Sequence, residues 1–360
     1  MIRPVPTVAA MRPYALADIG AELVSLAQNE SCFPPSPSAL AAGREALAMG
    51  PLYPDPDWHA LRQAIAGVHG LDPQAILCGA GSMELIGALI RAFAGPGDEV
   101  LAPEYGYIYL ATACQQAGCA YRTAPETDFT VSVDALLAAI RPATRIVFVC
   151  NPGNPTGTRL QNTELLRLRA GLPDDVLLVI DQAYGEFDAQ DPAAIFTLTG
   201  RGDTCVLRSF SKAYGLAGAR CGWGVFPPAI GAEVRKLLNP NNIAAVSQAM
   251  AAAAMGDAAH MHQTVARTAA IRRAFVTRLE AAGLALPESH TNFVLIPFAS
   301  TAEAREIDHC LRRHGYLLRP MAGYGLAHCL RATVIAEGPM MEVAGIICAA
   351  VVACRAGAPT

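Results

Sequence analysis

Short apolar runs alternate with amphipathic or alanine-rich stretches from about Ala39 to Phe226. The runs have the length of buried strands, and the stretches between them have the length of helices. This alternation is typical of βα units that build a largely parallel sheet with helices on its faces. It predicts an α/β fold with strands at Ala75–Cys78, Glu99–Ala102, Ala120–Thr123, Arg145–Cys150, Val176–Ile180, Thr204–Arg208 and Cys221–Phe226.

The pattern changes after Pro227-Pro228, where two adjacent prolines interrupt it. A long helical region follows, rich in alanine through Ala251–Ala254. Shorter elements come next, and the strand-like patterns of Asn292–Ile296 and Cys329–Val334 predict a smaller α+β domain. We expect an amino-terminal arm that packs with the small domain, then a large domain, then the long helix with the small domain, at residues 1–35, 36–240 and 241–360.

Lys212 is the residue whose surroundings say most about chemistry. It follows Ser209 and Ser211, and Arg220 lies shortly after it. A lysine amine attacks an aldehyde only after losing its proton, which burial or a nearby cation promotes. Hydroxyl groups and an arginine bind a phosphate dianion. The segment therefore predicts a site for pyridoxal 5'-phosphate (PLP), whereas a solvated surface lysine, the alternative, has no need of paired hydroxyls.

Two predicted strands end in polar residues suited to a pyridine cofactor. One runs into Asn151, and another runs into Asp181 and then Tyr184. Open α/β sheets bind ligands at the carboxyl ends of their strands. An aspartate there holds a pyridine nitrogen protonated, and an amide and a phenol bind the phenolic oxygen of the ring. The alternatives are a helix N-cap for Asp181 and an Asx turn for Asn151.

With these segments in order, the chain resembles a fold-type I PLP-dependent aminotransferase of class I/II, and among these the histidinol-phosphate aminotransferase family most closely. The matching segments run from about Asn29 to Val334. The resemblance implies a large domain with a mostly parallel seven-stranded sheet. It also implies that Lys212 forms the Schiff base, that Asp181 pairs with the pyridine nitrogen, that Asn151 and Tyr184 bind the phenolic oxygen, and that Ser209, Ser211 and Arg220 bind the phosphate.

Further cofactor contacts follow from the same resemblance. Gly81 and Ser82 match a glycine-rich loop whose backbone N–H groups meet the phosphate. Tyr105 matches the aromatic residue that stacks on the cofactor ring. Tyr53 matches a tyrosine that reaches the phosphate in the other protomer, so the resemblance implies a homodimer. The alternatives are an ordinary strand-to-helix turn capped by Ser82 and a core tyrosine at position 105.

The substrate side also rests on the resemblance. Arg331 matches the carboxylate-binding arginine, which resembles a phosphate binder in histidinol-phosphate aminotransferases, and Arg319 matches a second phosphate-side arginine. Tyr14 resembles an amino-terminal substrate tyrosine, and Asn29 belongs to the same predicted substrate set. The alternatives are a strand-end charge for Arg319 and an anchor of the arm for Tyr14.

Four segments depart from the usual family pattern, and they bear on substrate recognition. The common Asn-Glu-Asn-Pro stretch is replaced by Asn29-Glu30-Ser31-Cys32, and the usual acidic residue after the cofactor aspartate is Gln182. A glycine expected after Arg331 is replaced around Ile335-Ala336, and Asn239–Ile243 differs from the usual segment before the long helix.

Composition excludes several classes of partner. The chain has 360 residues, 52% of them hydrophobic, with a net charge of −4 and no basic run, so we expect no nucleic-acid partner. Its 11 cysteines form no C-x-x-C pair, which disfavours disulfides and a metal site. The amino terminus lacks a signal-peptide pattern, and the longest apolar run, Val343 to Cys354, is too short for a bilayer and predicts a buried terminal helix. We therefore predict a cytoplasmic enzyme without a membrane partner.

Several functions remain open at this point. The first is ping-pong transamination between histidinol phosphate, or a related amine donor, and the 2-oxo acid 2-oxoglutarate. Others are an aromatic or other amino-acid aminotransferase and a phospho-amino-acid decarboxylase on the same fold. A sensor or scaffold would not need Lys212, Asp181 and Arg220 together, so the residues favour an enzyme.

Overall fold

The computed structural model describes residues 2–9, 11 and 22–355. Its strands are β1 (Val24–Leu26), β2 (Ile76–Gly79), β3 (Glu99–Pro103), β4 (Ala120–Ala124), β5 (Glu126–Thr127), β6 (Thr130–Val131), β7 (Thr144–Cys150), β8 (Leu177–Asp181), β9 (Thr204–Ser209), β10 (Gly222–Val225), β11 (Phe293–Pro297), β12 (Tyr316–Pro320) and β13 (Cys329–Thr333). Its α-helices are α1 (Pro6–Ala9), α2 (Pro37–Ala46), α3 (His59–His69), α4 (Ser82–Phe93), α5 (Tyr109–Ala117), α6 (Val133–Ala138), α7 (Asn162–Gly171), α8 (Ala193–Phe196), α9 (Pro228–Arg235), α10 (Ala245–Gly256), α11 (Ala258–Ala281), α12 (Thr301–Arg313) and α13 (Glu337–Arg355).

A seven-stranded sheet forms the centre of the larger part of the molecule, in the order β2-β10-β9-β8-β7-β3-β4. Only β10 runs antiparallel to its neighbours within this sheet. The prediction of a mostly parallel seven-stranded sheet is confirmed, with strand ends shifted by a residue or two. Because β7, β8 and β9 are parallel neighbours, their carboxyl ends meet at one edge.

The central strands are apolar because both faces of the sheet are covered. In β7 the side chains of Ile146, Val147, Phe148 and Val149 are at most 1% exposed. A parallel sheet buried on both faces favours continuous runs of branched and aromatic residues over an alternating pattern. The same runs that predicted these strands therefore supply the largest hydrophobic cluster of the described chain.

A second sheet has four strands in the order β1-β12-β13-β11. Strand β1 comes from the amino-terminal segment and pairs in parallel with β12, so that Val24 lies opposite Tyr316. Strand β13 is central and runs antiparallel to β12 and β11. Shortly after β1, Asn29 forms hydrogen bonds to Thr333 of the small sheet and to Tyr184, which follows β8 of the large sheet.

The predicted long helical region consists of two helices, α10 and α11, which meet at Asp257. The Asp257 side chain accepts a hydrogen bond from the backbone N–H of His260 and so caps α11. An aspartate at this position stabilises a new helix start because it satisfies a free N–H group. Helix α11 then leads to the small sheet.

Helix α13 is longer than the apolar run that marked it in the sequence, since it begins at Glu337. Of the described helices, it is the one long and apolar enough to cross a membrane by length and composition. Met340, Val343, Ile347 and Val351 are fully buried on one face. They belong to the core cluster of the small sheet, so this face of the helix is already packed against protein.

Candidate active site

A cavity of about 430 Å³ lies between the carboxyl edge of the large sheet and the small sheet. Residues from both sheets and from the segment after β1 line it. Most of the sequence-predicted site residues are among them, namely Asn29, Gly81, Ser82, Asp181, Tyr184, Ser209, Ser211, Lys212, Arg220, Arg319 and Arg331. The fold thus brings together positions that are up to 302 residues apart in the chain (29 and 331).

Lys212 lies three residues beyond the end of β9 and is half-buried. Its Nζ donates hydrogen bonds to the backbone carbonyl oxygens of Asn29 at 2.8 Å and Gln28 at 3.4 Å. Burial, with Arg331 and Arg220 nearby, lowers the pKa of Lys212 to about 8. Loss of a proton near neutral pH is what an imine-forming lysine requires.

Asp181 is the last residue of β8 and is 3% exposed. Its Oδ1 accepts a hydrogen bond of 3.0 Å from the backbone N–H of Ala183. Burial raises the pKa of Asp181 to about 7, against the opposing effects of that bond and of Lys212. No α-helix begins at this strand end, so Asp181 does not serve as the helix N-cap considered above. A cationic ring nitrogen in the cavity would restore the carboxylate.

One end of the cavity is built for an anion. Ser82 is the first residue of α4 and Gly81 directly precedes it, and the first backbone N–H groups of a helix are suited to bind a phosphate. Gly81 has a φ of 80°, and a Cβ atom there would lie 2.5 Å from a terminal nitrogen of Arg220. The positive φ favours glycine at this position, and the end of the Arg220 side chain lies close to the backbone there. On the other side, Ser209 and Ser211 line the same cavity.

Two arginines face the cavity from the small sheet. Arg319 on β12 and Arg331 on β13 are directly opposite in the antiparallel register, so their side chains lie on the same face. Arg331 is 5% exposed and donates to the backbone oxygen of Ala27 at 2.9 Å and to Oδ1 of Asn154 at 2.5 Å. Burial lowers the pKa of Arg331 below its ordinary value. Its Nε is buried and has no hydrogen-bond partner among the described residues.

Asn29 connects the arm to both sheets. Its Nδ2 donates to the Tyr184 hydroxyl at 2.9 Å, and its backbone N–H donates to Oγ1 of Thr333 at 2.9 Å. Its φ of 55° is left-handed, a conformation that asparagine tolerates better than most residues. Because the Tyr184 oxygen already accepts this bond, the Tyr184 O–H proton is free to point elsewhere.

Three predicted cofactor residues do not line the cavity. The Asn151 side chain binds the backbone of Leu160, with hydrogen bonds of 2.7 and 3.2 Å. The Tyr105 ring packs at 6.1 Å from the ring of Phe129. Tyr53 is 88% exposed. The predicted substrate residue Tyr14 lies outside the described residues.

The cavity also contains residues that sequence reasoning did not select. Asn154 lines it, and Tyr107, Tyr324 and Glu30 do too. The sequence does carry a signal for Asn154, because it lies in the same Asn-Pro-Gly-Asn-Pro-Thr-Gly turn as Asn151 and also precedes a proline. Motif spacing does not say which of two asparagines in one turn faces the ligand.

The departure at Gln182 has a structural explanation. Its Oε1 accepts a hydrogen bond of 3.1 Å from Arg208, which also forms a buried ion pair of 2.9 Å with Glu186. Since Glu186 already balances the arginine charge, a neutral amide suffices at position 182. Gln182 therefore contacts Arg208 outside the cavity lining, and its difference from the usual acidic residue does not alter the residues that line the cavity.

Comparison with known proteins fits this geometry. The family model of aminotransferase class I and II matches residues 21–349. The chain belongs to the class I and II aminotransferase family.

Individual relatives point the same way. The chain is 42% identical over 351 residues to histidinol-phosphate aminotransferase of Rhodospirillum centenum, covering 95% of this chain and 96% of that protein. It is 41% identical over 339 residues to the protein of the same name in Paramagnetospirillum magneticum, covering 92% and 93% of the two chains. The crystal structure of histidinol-phosphate aminotransferase from Sinorhizobium meliloti in complex with pyridoxal-5'-phosphate matches with a TM-score of 0.91 and 28% identity, covering 98% of this chain and 99% of that one.

The aminotransferase is a PLP-dependent enzyme, as its family and relatives are. Its own residues suit the cofactor: a lysine of lowered pKa, a buried acid, and a helix start at Gly81 and Ser82 with Arg220 beside it. Among the described residues, no cluster of potential metal ligands is present.

Proposed function

We propose that this aminotransferase transfers the amino group of histidinol phosphate to 2-oxoglutarate in a ping-pong reaction. The observation that carries the proposal is the pair Arg319 and Arg331, in register on one face of the small sheet and open to the same cavity as Lys212. Two guanidinium groups side by side suit a phosphate dianion. The relatives named above, at about 40% identity, support this choice of substrate.

Each of the site residues has a separate role in this proposal. When bound, PLP supplies an aldehyde for the amine and a ring that withdraws electrons. We propose that Asp181 holds the ring nitrogen in its protonated form. Lys212, with its pKa near 8, is suited to take and return the proton at the substrate carbon. Ser209, Ser211, Arg220, Gly81 and Ser82 hold the phosphate.

Arg331 serves both half-reactions in this proposal. A guanidinium that binds a phosphate also binds the carboxylate of glutamate or 2-oxoglutarate. Asn154 orients it through the hydrogen bond of 2.5 Å. Arg319, which is half-buried, adds affinity for the dianionic phosphate.

We assign to Asn154 the contact with the phenolic oxygen of the cofactor that the sequence had suggested for Asn151. The Asn154 side chain lines the cavity, whereas both polar atoms of the Asn151 amide are engaged with Leu160. Tyr184 makes the second contact, because Asn29 occupies its oxygen as a donor and leaves the O–H free. Tyr105 keeps its predicted stacking role only if its segment moves toward the cavity.

A homodimer belongs to the proposal. Tyr53 is 88% exposed, and Leu47, Met49 and Leu52 close to it are between 49% and 66% exposed. Such a group of exposed apolar side chains is typical of an interaction surface. In the dimer, Tyr53 would reach the phosphate site of the neighbouring protomer.

We also place the enzyme in the cytoplasm. Its eleven cysteines are free, and most of them are buried. Free buried thiols are typical of a reducing compartment.

The decisive experiment is a screen of single half-reactions. The holoenzyme is mixed with histidinol phosphate, phenylalanine, tyrosine or glutamate, and the absorbance of the bound cofactor is followed. We expect rapid amino transfer from histidinol phosphate and from glutamate. A preference for phenylalanine or tyrosine would favour an aromatic aminotransferase, and release of carbon dioxide from a phospho-amino acid would favour a decarboxylase.

Borohydride labelling tests the position of the cofactor. Lys212 and Lys236 are the only lysines of the chain, so peptide mapping has two possible outcomes. Lys236 is exposed and bonded to Glu233, which makes it a natural control. We expect the label on Lys212 in the wild type and in Lys236→Ala, and a label on Lys236 would overturn the assignment.

A further inference from the structure

The charges that line the cavity are strongly unbalanced. Four cationic side chains face it, those of Lys212, Arg220, Arg319 and Arg331, against the two carboxylates of Asp181 and Glu30. Asp181 is buried at the strand end and, in the proposed function, belongs to the cofactor. Glu30 is therefore the one acidic group of this lining that the proposed chemistry leaves without a task.

The position of Glu30 is fixed through its backbone. Nδ2 of Asn292 donates to the carbonyl oxygens of Asn29 at 3.1 Å and Glu30 at 3.2 Å. The left-handed turn at Asn29 and its bond to Thr333 hold the same segment against the small sheet. These hydrogen bonds hold the backbone of Asn29 and Glu30 in place.

The Glu30 side chain, by contrast, is exposed at the cavity and has no hydrogen bond or ion pair with another described residue. It lies close enough to Lys212 to raise the pKa of that amine, although burial and Arg331 outweigh this effect. A carboxylate that has no partner among the described residues, in a cavity that three arginines also line, is an acceptor available to the substrate.

We infer that Glu30 is a specificity residue that selects amine donors carrying an N–H-bearing, basic ring together with an anionic group. This inference rests on the proposed function, in which the arginines hold the phosphate of the donor. A cavity lined by arginines alone would bind any phosphorylated or dicarboxylic amine. Glu30 adds a preference for a ring that donates a hydrogen bond, as imidazole does, and repels a second anion at that position.

The exposure of the Glu30 carboxylate limits how strongly it can favour an imidazole donor. A hydrogen bond between a carboxylate and an N–H group is stronger than a neutral one, but a partly exposed site is screened by water. We expect loss of the Glu30 charge to weaken binding of an imidazole amine by roughly three- to tenfold.

The test compares two donors that differ only in the ring. One is histidinol phosphate, and the other is the analogue in which phenyl replaces imidazole while the amine and the phosphate are kept. Holoenzymes of wild type, Glu30→Gln and Glu30→Ala are assayed for kcat and KM with each donor. Calorimetry with the enzyme loaded with pyridoxamine 5'-phosphate, which cannot react with an amine, gives the dissociation constants without turnover. Glu104→Gln is the matched control, since Glu104 is an exposed carboxylate of a neighbouring loop that does not line the cavity.

We expect both Glu30 variants to raise KM and the dissociation constant for histidinol phosphate three- to tenfold, with kcat nearly unchanged. The phenyl analogue should bind them as well as the wild type or better, and Glu104→Gln should change neither donor. Equal losses for both donors would overturn the inference, because Glu30 would then act on Lys212 instead of on the ring. A wild type inactive with histidinol phosphate would refute the proposed function. The Glu30 inference would then be tested with histidine and phenylalanine as donors. It would hold if the Glu30 variants lose affinity for histidine alone, and it would be overturned if they lose affinity for both equally.

Discussion

The cavity has two sides of different origin. The floor consists of Asp181, Ser209, Ser211 and Lys212, at the carboxyl ends of the parallel strands β8 and β9. The roof consists of Asn29, Arg319 and Arg331, from the arm and the small sheet. Floor residues lie at most 31 positions apart in the sequence (181 to 212), whereas roof residues lie up to 302 positions apart (29 to 331).

This difference separates the chemistry from the choice of substrate. In the proposed function, the floor meets the cofactor, whose demands are the same for every amine, and it is built on strands buried on both faces. The roof then meets the part of the substrate that varies. Changes in the floor should therefore reduce catalysis with all donors, and changes in the roof should alter the ranking of donors.

The largest effect should come from Lys212→Ala in the floor. We expect kcat to fall by more than about 10⁴-fold with every donor, because covalent anchoring and proton transfer are lost together. Half-reaction rates with histidinol phosphate and glutamate measure this, with Lys236→Ala as the control that keeps wild-type rates. A loss confined to one donor would break the division between floor and roof.

Asp181→Asn should come next. We expect kcat to fall about 10²- to 10³-fold for all donors, as for removal of other preorganised charges, while bound PLP is retained through its phosphate contacts. Cofactor content by absorbance and rates with both donors test this together. Near-normal turnover would show that Asp181 has no role in the electronic activation.

The same variant has a signature in stability. The folded-state pKa of Asp181 is raised to about 7, while an unfolded aspartate titrates near about 3.9. Between these two pKa values the unfolded state binds fewer protons than the folded state. The free energy of unfolding of the cofactor-free wild type therefore falls as pH rises through this window. We expect the Tm of Asp181→Asn relative to wild type to increase from pH 4 to pH 8. The exposed control Asp174→Asn should show no such trend.

Arg331→Ala tests the roof. We expect the loss of kcat/KM in both half-reactions to correspond to about 2–3 kcal/mol of transition-state stabilisation. The loss should come mainly from a higher KM, because charged hydrogen bonds to the phosphate and to the carboxylate are removed. Arg331→Lys keeps the charge and loses the two-pronged geometry, so an intermediate loss is expected. Rates of each half-reaction at several substrate concentrations provide the measurement. An effect on kcat alone would indicate that Arg331 acts in catalysis, as the floor residues do, and not in substrate binding.

Arg319→Ala should have the smallest effect and the sharpest selectivity. We expect about a tenfold rise in KM for histidinol phosphate, the size of one charged hydrogen bond at a half-buried site, and little change for unphosphorylated histidinol. The ratio of the two KM values is the quantity to compare with wild type. An unchanged ratio would remove Arg319 from phosphate recognition.

The large sheet and most of the floor were open to prediction from the sequence, because local patterns encode them. Seven buried strands showed as apolar runs, and Asp181 and Lys212 each directly follow such a run or lie close to its end. The break at Asp257 and the early start of α13 were missed, since a single cap or a few polar residues decide where a helix begins.

Orientation within a turn was beyond the sequence. Asn151 and Asn154 have the same residue type and the same following proline, yet one binds the backbone of Leu160 and the other meets Arg331 in the cavity. Tyr105 and Tyr107 pose the same problem two positions apart, and only Tyr107 lines the cavity. The roles suggested for Tyr105, Tyr53 and Tyr14 stay predictions, and the role suggested for Asn151 is the one that we propose for Asn154 instead.

By itself, the sequence determined the class of fold, the cofactor chemistry and the residues of the floor, because each depends on neighbours along the chain and on the period of a strand. Only the tertiary structure decided how the roof is assembled. The pairing of β12 with β13 sets Arg319 opposite Arg331, and the hydrogen bonds of Asn29 hold the arm, with Glu30, at the cavity. The contacts of Asn29 join residues 155 and 304 positions apart, and the geometry of the roof follows from the packing of two sheets, which no local pattern encodes.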